Sequence, residues 1–529
     1  MLPAVEIRGK PASEGIFTGP VVAFDVACLT SRPARNAALE RSELNSAIAA
    51  AITAITALAA KNKGAAADIL EFQIAMLQDD ALKAQAFAVV EQGSSAADAW
   101  WNTLENEIAE YVSSADENFS AKAADLRDIR DRVMRTLEGE TKMPMQSGSI
   151  FVGEDLPPTL FLETDWSQGG AIALKGGSSS GHVAMLARSR GVPMVIGLGE
   201  AWPGTYENAI VDGTAGLVHP APPPELIAAY AKRSARDAEH RDADRQFLMQ
   251  PALRRDGTRV DVQINIASVE ELGQLDPASC DGIGLMRSEF LFRDGVALPN
   301  EDEQYRAYRA MLEWANGKPV TIRTLDVGGD KPLRGLTSEG KKNSFLGLRG
   351  IRLLLARPEV FRTQLKALAR AAIHGNLKIM LPMVILPREL EQSAVLLDQC
   401  VSELQSEGKV CSRPSLGIMV EVPAVAIAPE LFAKAAFFSI GTNDLTQFVM
   451  ASSRDETSAA DLQDAAHPAI ARLIAGVTAY GRANHIPVSL CGDMASVPEN
   501  LPLLMEAGVT SLSVAPAALA RVKSALSKI

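Results

Sequence analysis

The 529-residue chain has few cysteines for its length and no excess of positive charge. Its five cysteines are scattered, and no two have a CxxC spacing. This argues against a disulfide framework and favours reduced thiols in the cytosol. The formal net charge is −12 and no basic stripe is present, so nucleic acid is not an expected partner.

Long uncharged apolar runs are also missing. No stretch reaches ~20 apolar residues without a charge, so no membrane span is expected. The first residues lack a basic region followed by an apolar run, so no signal peptide is expected either. With 47% hydrophobic and 22% charged residues, the composition is that of a globular protein. We therefore expect a cytoplasmic protein of several domains.

The first half of the chain changes character twice. Residues 1–25 and 146–222 carry short apolar strands, whereas 26–145 is rich in alanine and periodic at helical spacing. The simplest interpretation is one α/β domain, made of 1–25 and 146–222, with a helical bundle inserted into it. The highly charged segment 223–252 predicts a linker helix. Four bundle helices are predicted, at Ala47–Ala60, Asp68–Val90, Ala96–Ser113 and Ala121–Leu137.

From residue 253 to 529, strand candidates alternate with helices. Eight strands in this length predict a (β/α)₈ TIM barrel, so the expected fold class is a multidomain α/β protein with a C-terminal barrel. The strand candidates are 259–266, 281–286, 319–324, 377–382, 415–420, 436–441, 486–491 and 510–515.

Charged side chains stand where several of these apolar runs end. In a TIM barrel the C-terminal ends of the strands form the active-site face. A cluster of cations there can hold a carboxylate and a phosphate together. Taken singly, each arginine is better explained as a member of a surface ion pair, but several of them at strand ends are not. The cations concerned are Arg287, Arg323, Arg349, Arg454 and Lys331.

Two carboxylates end successive strand candidates. Glu421 follows the run 415–420, and Asp444 lies in Gly441-Thr442-Asn443-Asp444 after the next run. Mg²⁺ in proteins is typically held by one or two carboxylates together with substrate phosphate oxygens. The pattern therefore predicts a small, strongly anionic ligand bound with a divalent metal. A plain hydrogen-bonded pair at the rim stays open as the alternative.

His182 and Cys491 are the candidate reactive groups. His182 follows a Gly/Ser-rich loop and begins an apolar helix, a position that suits a phosphoryl group, although such a loop can be a simple connection. Cys491 ends a strand candidate, and its thiol carries a proton at neutral pH that can be donated to carbon. A small buried hydrophobe is the competing interpretation of Cys491.

In their order along the chain, several motifs resemble Enzyme I of the phosphoenolpyruvate (PEP)-dependent sugar phosphotransferase system. The resemblance covers essentially the whole chain. It rests on Ala123–Ile129, the His182 loop, Gly282–Phe290, Asn343–Arg349, Gly417–Pro423, Ser439–Phe448 and Cys491-Gly492.

The resemblance implies a function for each part. PEP and Mg²⁺ would bind at the barrel rim of 253–529, His182 would take the phosphoryl group, and Cys491 would protonate the pyruvate enolate. The phosphoryl group would then pass to the carrier protein HPr, docked on 26–145, while the phosphohistidine domain swings between the two. The barrel would also form a homodimer.

The resemblance also implies ligands for PEP and for the metal. Glu421 and Asp444 would hold Mg²⁺, and the residues implied to contact PEP are Arg287, Arg323, Asn443, Asp444 and Arg454, with Arg349 and Lys331 nearby.

The chain departs from the usual family pattern at three places. Ser180-Gly181 stands before His182 in place of the usual Thr-Ser. Gln73 stands in place of a histidine that is common in the carrier-binding helix. The segment after the last catalytic strand reads Cys491-Gly492-Asp493, with a shorter acid than the usual glutamate.

Three other functions share parts of this pattern. Pyruvate phosphate dikinase and PEP synthase need a large ATP-binding domain, and the residues before His182 leave no room for one. A pyruvate-handling lyase built on the barrel alone would have no use for His182. A regulatory protein that senses PEP through its own phosphorylation has the same chemistry, so the sequence leaves it open.

Overall fold

The computed structural model describes most of the chain. The described residues are 5–24, 32–62, 65–113, 117–139, 146–178, 181–199, 202, 204, 206–292, 298–328, 336, 346–452 and 462–529. They divide into two compact units, Met1–Ala238 and Glu239–Ile529. Arg454, predicted to contact PEP, and Lys331, predicted to lie near it, are both outside the described residues.

The first unit contains a mixed sheet. Its strand order is β1-β8-β7-β3-β4-β5-β6-β2, with β3, β4, β5 and β6 parallel to one another. The strands are β1 (Ile7–Arg8), β2 (Lys10–Ser13), β3 (Ile16–Phe24), β4 (Ile150–Gly153), β5 (Ala171–Leu174), β6 (Met194–Ile196), β7 (Asn208–Asp212) and β8 (Leu217–Pro220).

Helices pack against one face of the parallel strands of this sheet and also interrupt it along the chain. Five described helices follow one another in the chain between β3 and β4, so the helical bundle is an insertion between two strands of the sheet. The helices are α1 (Ala37–Ala59), α2 (Ala65–Gln78), α3 (Asp80–Glu91), α4 (Ala96–Ser113), α5 (Glu117–Leu137), α6 (Pro158–Glu163), α7 (His182–Arg190) and α8 (Pro224–Arg245).

The bundle differs from the sequence prediction at Asp79. One helix was predicted over Asp68–Val90, but the structure has two helices that meet there. Asp79 is extended (φ −60°, ψ 118°), and its side chain accepts a hydrogen bond from the Ala81 backbone N–H. Aspartate competes with helical backbone bonding in this way and starts a new helix as its N-cap.

The helix α1 is long and apolar enough to cross a membrane when judged by length and composition alone, and no other described helix is. It also contributes Leu44, Ile48 and Ile55 to the buried core of the first unit. The expectation that no segment crosses a membrane stays a prediction.

The second unit is a closed barrel of eight parallel strands in sequential order. Its strands are β9 (Asp261–Ile266), β10 (Ile283–Arg287), β11 (Val320–Arg323), β12 (Leu377–Leu381), β13 (Ser415–Val420), β14 (Phe438–Ile440), β15 (Val488–Leu490) and β16 (Ser511–Val514). Each falls on a predicted strand, and the fold-class prediction is confirmed.

Helices cover the outside of the barrel, as its parallel topology requires. They are α9 (Glu301–Ala315), α10 (Ile351–Ala356), α11 (Pro358–Ala371), α12 (Pro387–Ser406), α13 (Pro423–Ile427), α14 (Thr442–Val449), α15 (Pro468–Ala483), α16 (Leu501–Glu506) and α17 (Leu519–Leu526). Strand residues such as Ile322, Ile379 and Ile418 are fully buried in the core between sheet and helices. This rigid scaffold places the strand ends, and the side chains that follow them, on one rim.

Candidate active site

His182 is the first residue of α7. The preceding Gly181 is extended and caps the helix without a side-chain hydrogen bond, while Val183 and Leu186 anchor the helix in the core. The side chain of His182 is 31% exposed. The free backbone N–H groups and the positive dipole end of a helix favour an anionic group at this position.

The imidazole of His182 faces one buried carboxylate. Its Nδ1 lies 3.4 Å from Oδ2 of Asp125, a fully buried residue of α5. Burial acts to lower the pKa of His182, but the hydrogen bond and the charge of Asp125 together outweigh it and raise the pKa above 6.5. An acceptor at Nδ1 keeps the proton of the neutral ring there, which leaves Nε2 as the free base.

The second group of predicted residues meets at the C-terminal rim of the barrel. Arg287 and Arg323 end β10 and β11 and are register partners. Glu421 follows β13, and Asp444 lies in the first turn of α14. Cys491 follows β15. The strand ends therefore bring these side chains to one rim, as expected from the sequence.

Arg323 and Arg349 are held in a network of carboxylates. Arg349 is fully buried and forms a bidentate pair with Asp326, with Nε to Oδ1 and Nη2 to Oδ2 both at 3.0 Å. Its Nη2 also lies 3.1 Å from Asp444 Oδ2. Arg323 pairs with Glu289 and Asp326, each at 3.2 Å, and lies 4.0 Å from Glu421. The guanidiniums are thus oriented by carboxylates around the rim.

The Glu421 carboxyl has a strongly raised pKa. Burial, together with the nearby charges of Asp444 and Asp326, raises its pKa to about 8 against the opposing effect of the arginines. Its Oε1 accepts a 2.6 Å hydrogen bond from the backbone N–H of Met383. Met383 has a left-handed backbone (φ 57°), a strained conformation that is often found at functional sites.

These residues suit a divalent cation. Glu421 and Asp444 are both buried and repel each other, and Asp444 Oδ1 is a buried oxygen without a hydrogen-bond partner in the described part of the chain. Four carboxyl groups lie beside the guanidiniums of Arg323 and Arg349, namely those of Glu289, Asp326, Glu421 and Asp444. Mg²⁺ prefers oxygen ligands, so the donor set fits the predicted metal.

Cys491 lies in an apolar environment with one hydroxyl beside it. The residue is 3% exposed and packs with Met380, Met419 and Phe437. Burial raises the pKa of its thiol to about 11, although a hydrogen bond from Ser439 opposes the rise. Ser439 Oγ lies 3.3 Å from Sγ. The sulfur is therefore a protonated thiol at neutral pH.

A close approach fixes the strand end that carries Cys491. A Cβ on Gly492 would lie 1.8 Å from Thr442 Oγ1, so only glycine fits there. Next to it, Asn443 Nδ2 donates to Asp493 Oδ2 at 2.8 Å, and the Asp493 backbone N–H donates back to Asn443 Oδ1 at 2.9 Å. The shorter acid noted in the sequence thus holds the predicted PEP ligand Asn443.

The sequence did not assign roles to three residues that the structure places in these sites. Asp326 and Glu289 orient the arginines, and Asp125 faces His182. Glu289 lies within Gly282–Phe290 and Asp125 within Ala123–Ile129, both noted in the sequence, whereas Asp326 lies outside those motifs, three positions after β11. Asp125 lies in Ala123–Ile129, where its helical position gives no sign of the histidine it faces.

Models of three domains of one family match the chain. The N-terminal domain of the PEP-utilising enzymes matches residues 8–122, and their mobile domain matches 145–216. Their PEP-binding domain matches 241–529, which is more than half of the chain and contains the barrel.

Individual relatives are similar over most of the chain. A phosphoenolpyruvate-protein phosphotransferase of Staphylococcus carnosus is 33% identical over 97% of this chain and 92% of its own length. A protein of the same name from Geobacillus stearothermophilus is 37% identical over 80% of this chain and 74% of its own length. A multiphosphoryl transfer protein of Rhodobacter capsulatus is 37% identical over 85% of this chain, which spans only 54% of that relative. With these relatives and the three domain matches, the chain belongs to the phosphoenolpyruvate-protein phosphotransferases, an enzyme family of the PEP-utilising group.

Proposed function

We propose that the protein phosphorylates itself on His182 from PEP with Mg²⁺, releases pyruvate, and passes the phosphoryl group to a histidine of an HPr-like carrier. The proposal depends on one observation, the contact between the His182 imidazole and the Asp125 carboxylate. His182 is partly exposed, and its Nδ1 faces the Asp125 carboxylate at 3.4 Å, which leaves Nε2 as a nucleophile.

PEP binds at the barrel rim in this proposal. Arg287, Arg323, Asn443, Asp444 and Arg454 contact it, and Arg349 and Lys331 lie nearby as further candidates. Support comes from the carboxylates that hold Arg323 and Arg349 in place before the ligand arrives. Pre-oriented guanidiniums bind carboxylate and phosphate groups at a small cost in reorganisation.

The metal ligands are Glu421 and Asp444. Mg²⁺ bound there would supply positive charge to the phosphoryl oxygens of PEP. Mg²⁺ binding requires the ionised form of Glu421. Because the pKa of this carboxyl is about 8, it has to release a proton when the metal binds at neutral pH.

The transfer step uses the free nitrogen of His182. The lone pair of Nε2 forms a bond to phosphorus while the bond from phosphorus to the enol oxygen breaks, so pyruvate leaves as its enolate. Positive charge develops on the imidazole as this bond forms. Asp125 stabilises that charge through the N–H group at Nδ1.

Cys491 completes the release of pyruvate. Its thiol donates a proton to the enolate carbon and becomes a thiolate in an apolar pocket. The hydroxyl of Ser439, 3.3 Å from Sγ, donates a hydrogen bond to that thiolate. Water returns the proton to sulfur before the next turnover.

The parts of the chain take the following roles in this proposal. Residues 1–25 and 146–222 form the phosphohistidine domain, and 26–145 binds the carrier. Residues 223–252 link the phosphohistidine domain to the PEP-binding and dimerisation domain at 253–529. The protein acts in the cytoplasm, without membrane insertion, as a homodimer joined through its barrels.

Labelling with [³²P]PEP and Mg²⁺ tests the proposal. The wild-type chain should take up label that is lost in acid, as a phosphoramidate is, and should release one pyruvate per phosphoryl group. His182→Ala should take up none, whereas the control His240→Ala, which removes an exposed histidine of α8, should label normally. Acid-stable label, or label on His182→Ala, would refute the assignment. Transfer of the label to a purified HPr-like protein tests the proposed step from His182 to the carrier.

A further inference from the structure

Gln73 is a fully buried glutamine of α2. Its Nε2 donates hydrogen bonds to Asp125 Oδ1 at 3.3 Å and to Asp128 Oδ2 at 3.1 Å. Both acceptors are buried residues of α5, more than 50 positions further along the chain. Burying an amide is costly unless it is bonded, and an apolar side chain of similar size would fill this position at a lower cost.

One of the two carboxylates is fixed on its other side. Asp128 accepts hydrogen bonds from the backbone N–H of Thr159 at 2.9 Å and from Thr159 Oγ1 at 2.6 Å. Thr159 lies in the first turn of α6, so three helices meet at this carboxylate. Asp128 is therefore a rigid anchor for the Gln73 amide.

The other carboxylate belongs to Asp125, which faces His182. With Oδ1 held by Gln73, the plane of the carboxyl group directs Oδ2 toward the imidazole. Within the described residues, the buried Oδ2 has no hydrogen-bond partner apart from the 3.4 Å contact with Nδ1. The orientation of Asp125 thus depends on Gln73.

We propose that Gln73 is a positioning residue for phosphoryl transfer: it holds Asp125 so that the neutral His182 ring carries its proton on Nδ1 and presents Nε2. This inference rests on the proposed role of His182 as the phosphoryl acceptor. The hydrogen bond at one nitrogen of a histidine decides which nitrogen is free to react. Without the Gln73 amide, Asp125 can turn away, and a fraction of the rings carries the proton on Nε2, where it blocks attack.

Because Gln73 is buried, its proposed role does not involve contact with a carrier. Its side chain lies inside the bundle, so the difference at position 73 from the usual family residue acts on the interior of the site. A purely structural amide would join α2 to α5 and affect stability, but it would not change the tautomer of His182 in the folded protein.

The test compares Gln73→Met with Gln78→Met in the full-length chain. Methionine is close to glutamine in shape and lacks the amide, and Gln78 is exposed on the same helix. Proteins labelled with ¹⁵N-histidine are examined at about pH 9, where histidine side chains are neutral. The His182 signals are assigned by their loss in His182→Ala.

The tautomer is the first readout. Wild type and Gln78→Met should show the proton of His182 on Nδ1, whereas Gln73→Met should show a larger fraction on Nε2. An Nε2–H tautomer in the wild type overturns the inference, as does an unchanged tautomer in folded Gln73→Met. Should that variant fail to fold, Gln73→Asn replaces it, because it keeps an amide but withdraws it by one methylene.

The rate of phosphorylation is the second readout. Single-turnover labelling from PEP should slow by about tenfold in Gln73→Met, the lower range for losing a hydrogen bond that orients a functional histidine. The KM for PEP should stay unchanged, because the residues proposed to bind PEP all lie in the second unit. An unchanged rate overturns the inference. If the wild type takes up no label, the proposed function is wrong, and the tautomer measurement still shows whether Gln73 positions the proton of His182.

Discussion

Arg349 Nη2 lies 3.1 Å from Asp444 Oδ2, so a fully buried guanidinium holds one of the two proposed metal ligands. The same guanidinium forms a bidentate pair with Asp326. One cation therefore fixes two carboxylates that come from different parts of the barrel. The rim is ordered by this pairing before any ligand binds.

Loss of this cation should destabilise the barrel. Arg349→Met removes one guanidinium from each of two buried carboxylates, Asp326 and Asp444, which costs about 3–5 kcal/mol. Urea unfolding, followed by hydrogen exchange in β11 and β14, measures the effect. Arg309→Met is the control, since it removes an exposed ion pair with Glu313 that is worth about 1 kcal/mol or less. Equal losses in the two variants would contradict the role given to Arg349.

Asp125→Asn should lower the pKa of His182. The charge of Asp125 raises that pKa, and its removal leaves burial as the main effect, which lowers the pKa. Because only the neutral ring attacks phosphorus, the acidic limb of the phosphorylation rate should move to lower pH. NMR titration of His182 and rates between about pH 5 and 9 check this. The control is Asp80→Asn, at an exposed position on α3. A limb that does not move would show that Asp125 does not set the protonation of His182.

Cys491→Ala should slow pyruvate formation far more than it weakens PEP binding. Loss of a general acid typically costs about 10²- to 10⁴-fold in rate, whereas a buried thiol contributes little to holding an anion. The rate of pyruvate release and the Kd for PEP are measured separately. Cys411→Ala, at a partly exposed thiol of the same unit, is the control. Comparable losses in rate and in affinity would mean that the thiol is not the proton donor.

The Cys491 thiol should keep its proton far into the alkaline range. Burial raises its pKa to about 11, so iodoacetamide should not react with it at about pH 8 in the folded protein. Because the folded pKa is the higher one, the thiol's contribution to stability is lost as the pH rises from its unfolded value of 9.0 through about 11.

Ser439→Ala should raise this pKa further, since it removes the hydroxyl that donates to sulfur. The same change should slow pyruvate release while the Kd for PEP stays constant. Titration of the thiolate by its ultraviolet absorbance measures the pKa. A pKa that falls in Ser439→Ala would be incompatible with donation to sulfur.

Mg²⁺ should bind more tightly as the pH rises toward 8. Burial and two neighbouring carboxylates raise the pKa of Glu421 to about 8, so at lower pH the metal has to displace a proton. Affinity should increase by up to about tenfold per pH unit between about pH 6 and 8. Calorimetry in buffers of different ionisation enthalpy detects the released proton. Glu421→Gln should abolish this dependence, and Glu313→Gln should leave it intact. Affinity independent of pH would speak against Glu421 as a ligand.

The barrel could be predicted from the sequence strand by strand. A parallel strand buried on both sides is a short apolar run, and the first charged residue after it marks the rim. Arg287, Arg323, Glu421 and Cys491 were found by this rule, and the structure places each at a strand end. The break of the bundle helix at Asp79 was missed, because helical periodicity continues on both sides of it.

The partners of these residues could not be predicted in the same way. Gln73 and Asp125 are separated by 52 positions and lie on different helices, each within an amphipathic pattern that is complete without the other. Asp326 and Arg349 are also distant in the sequence, with a separation of 23 positions. Local sequence sets the type of element and the face it buries, but not which neighbour that face meets.

The sequence by itself determined the barrel, most of the order of elements, and which side chains stand at the strand ends and at the start of α7. These features follow from short-range patterns of apolar and polar residues. Only the tertiary structure decided which carboxylate faces His182, which ones surround Arg323 and Arg349, and what raises the pKa of Glu421. Those properties depend on distances and burial that arise when distant segments pack together, since the strength of a charge interaction is set by separation and by the exclusion of water.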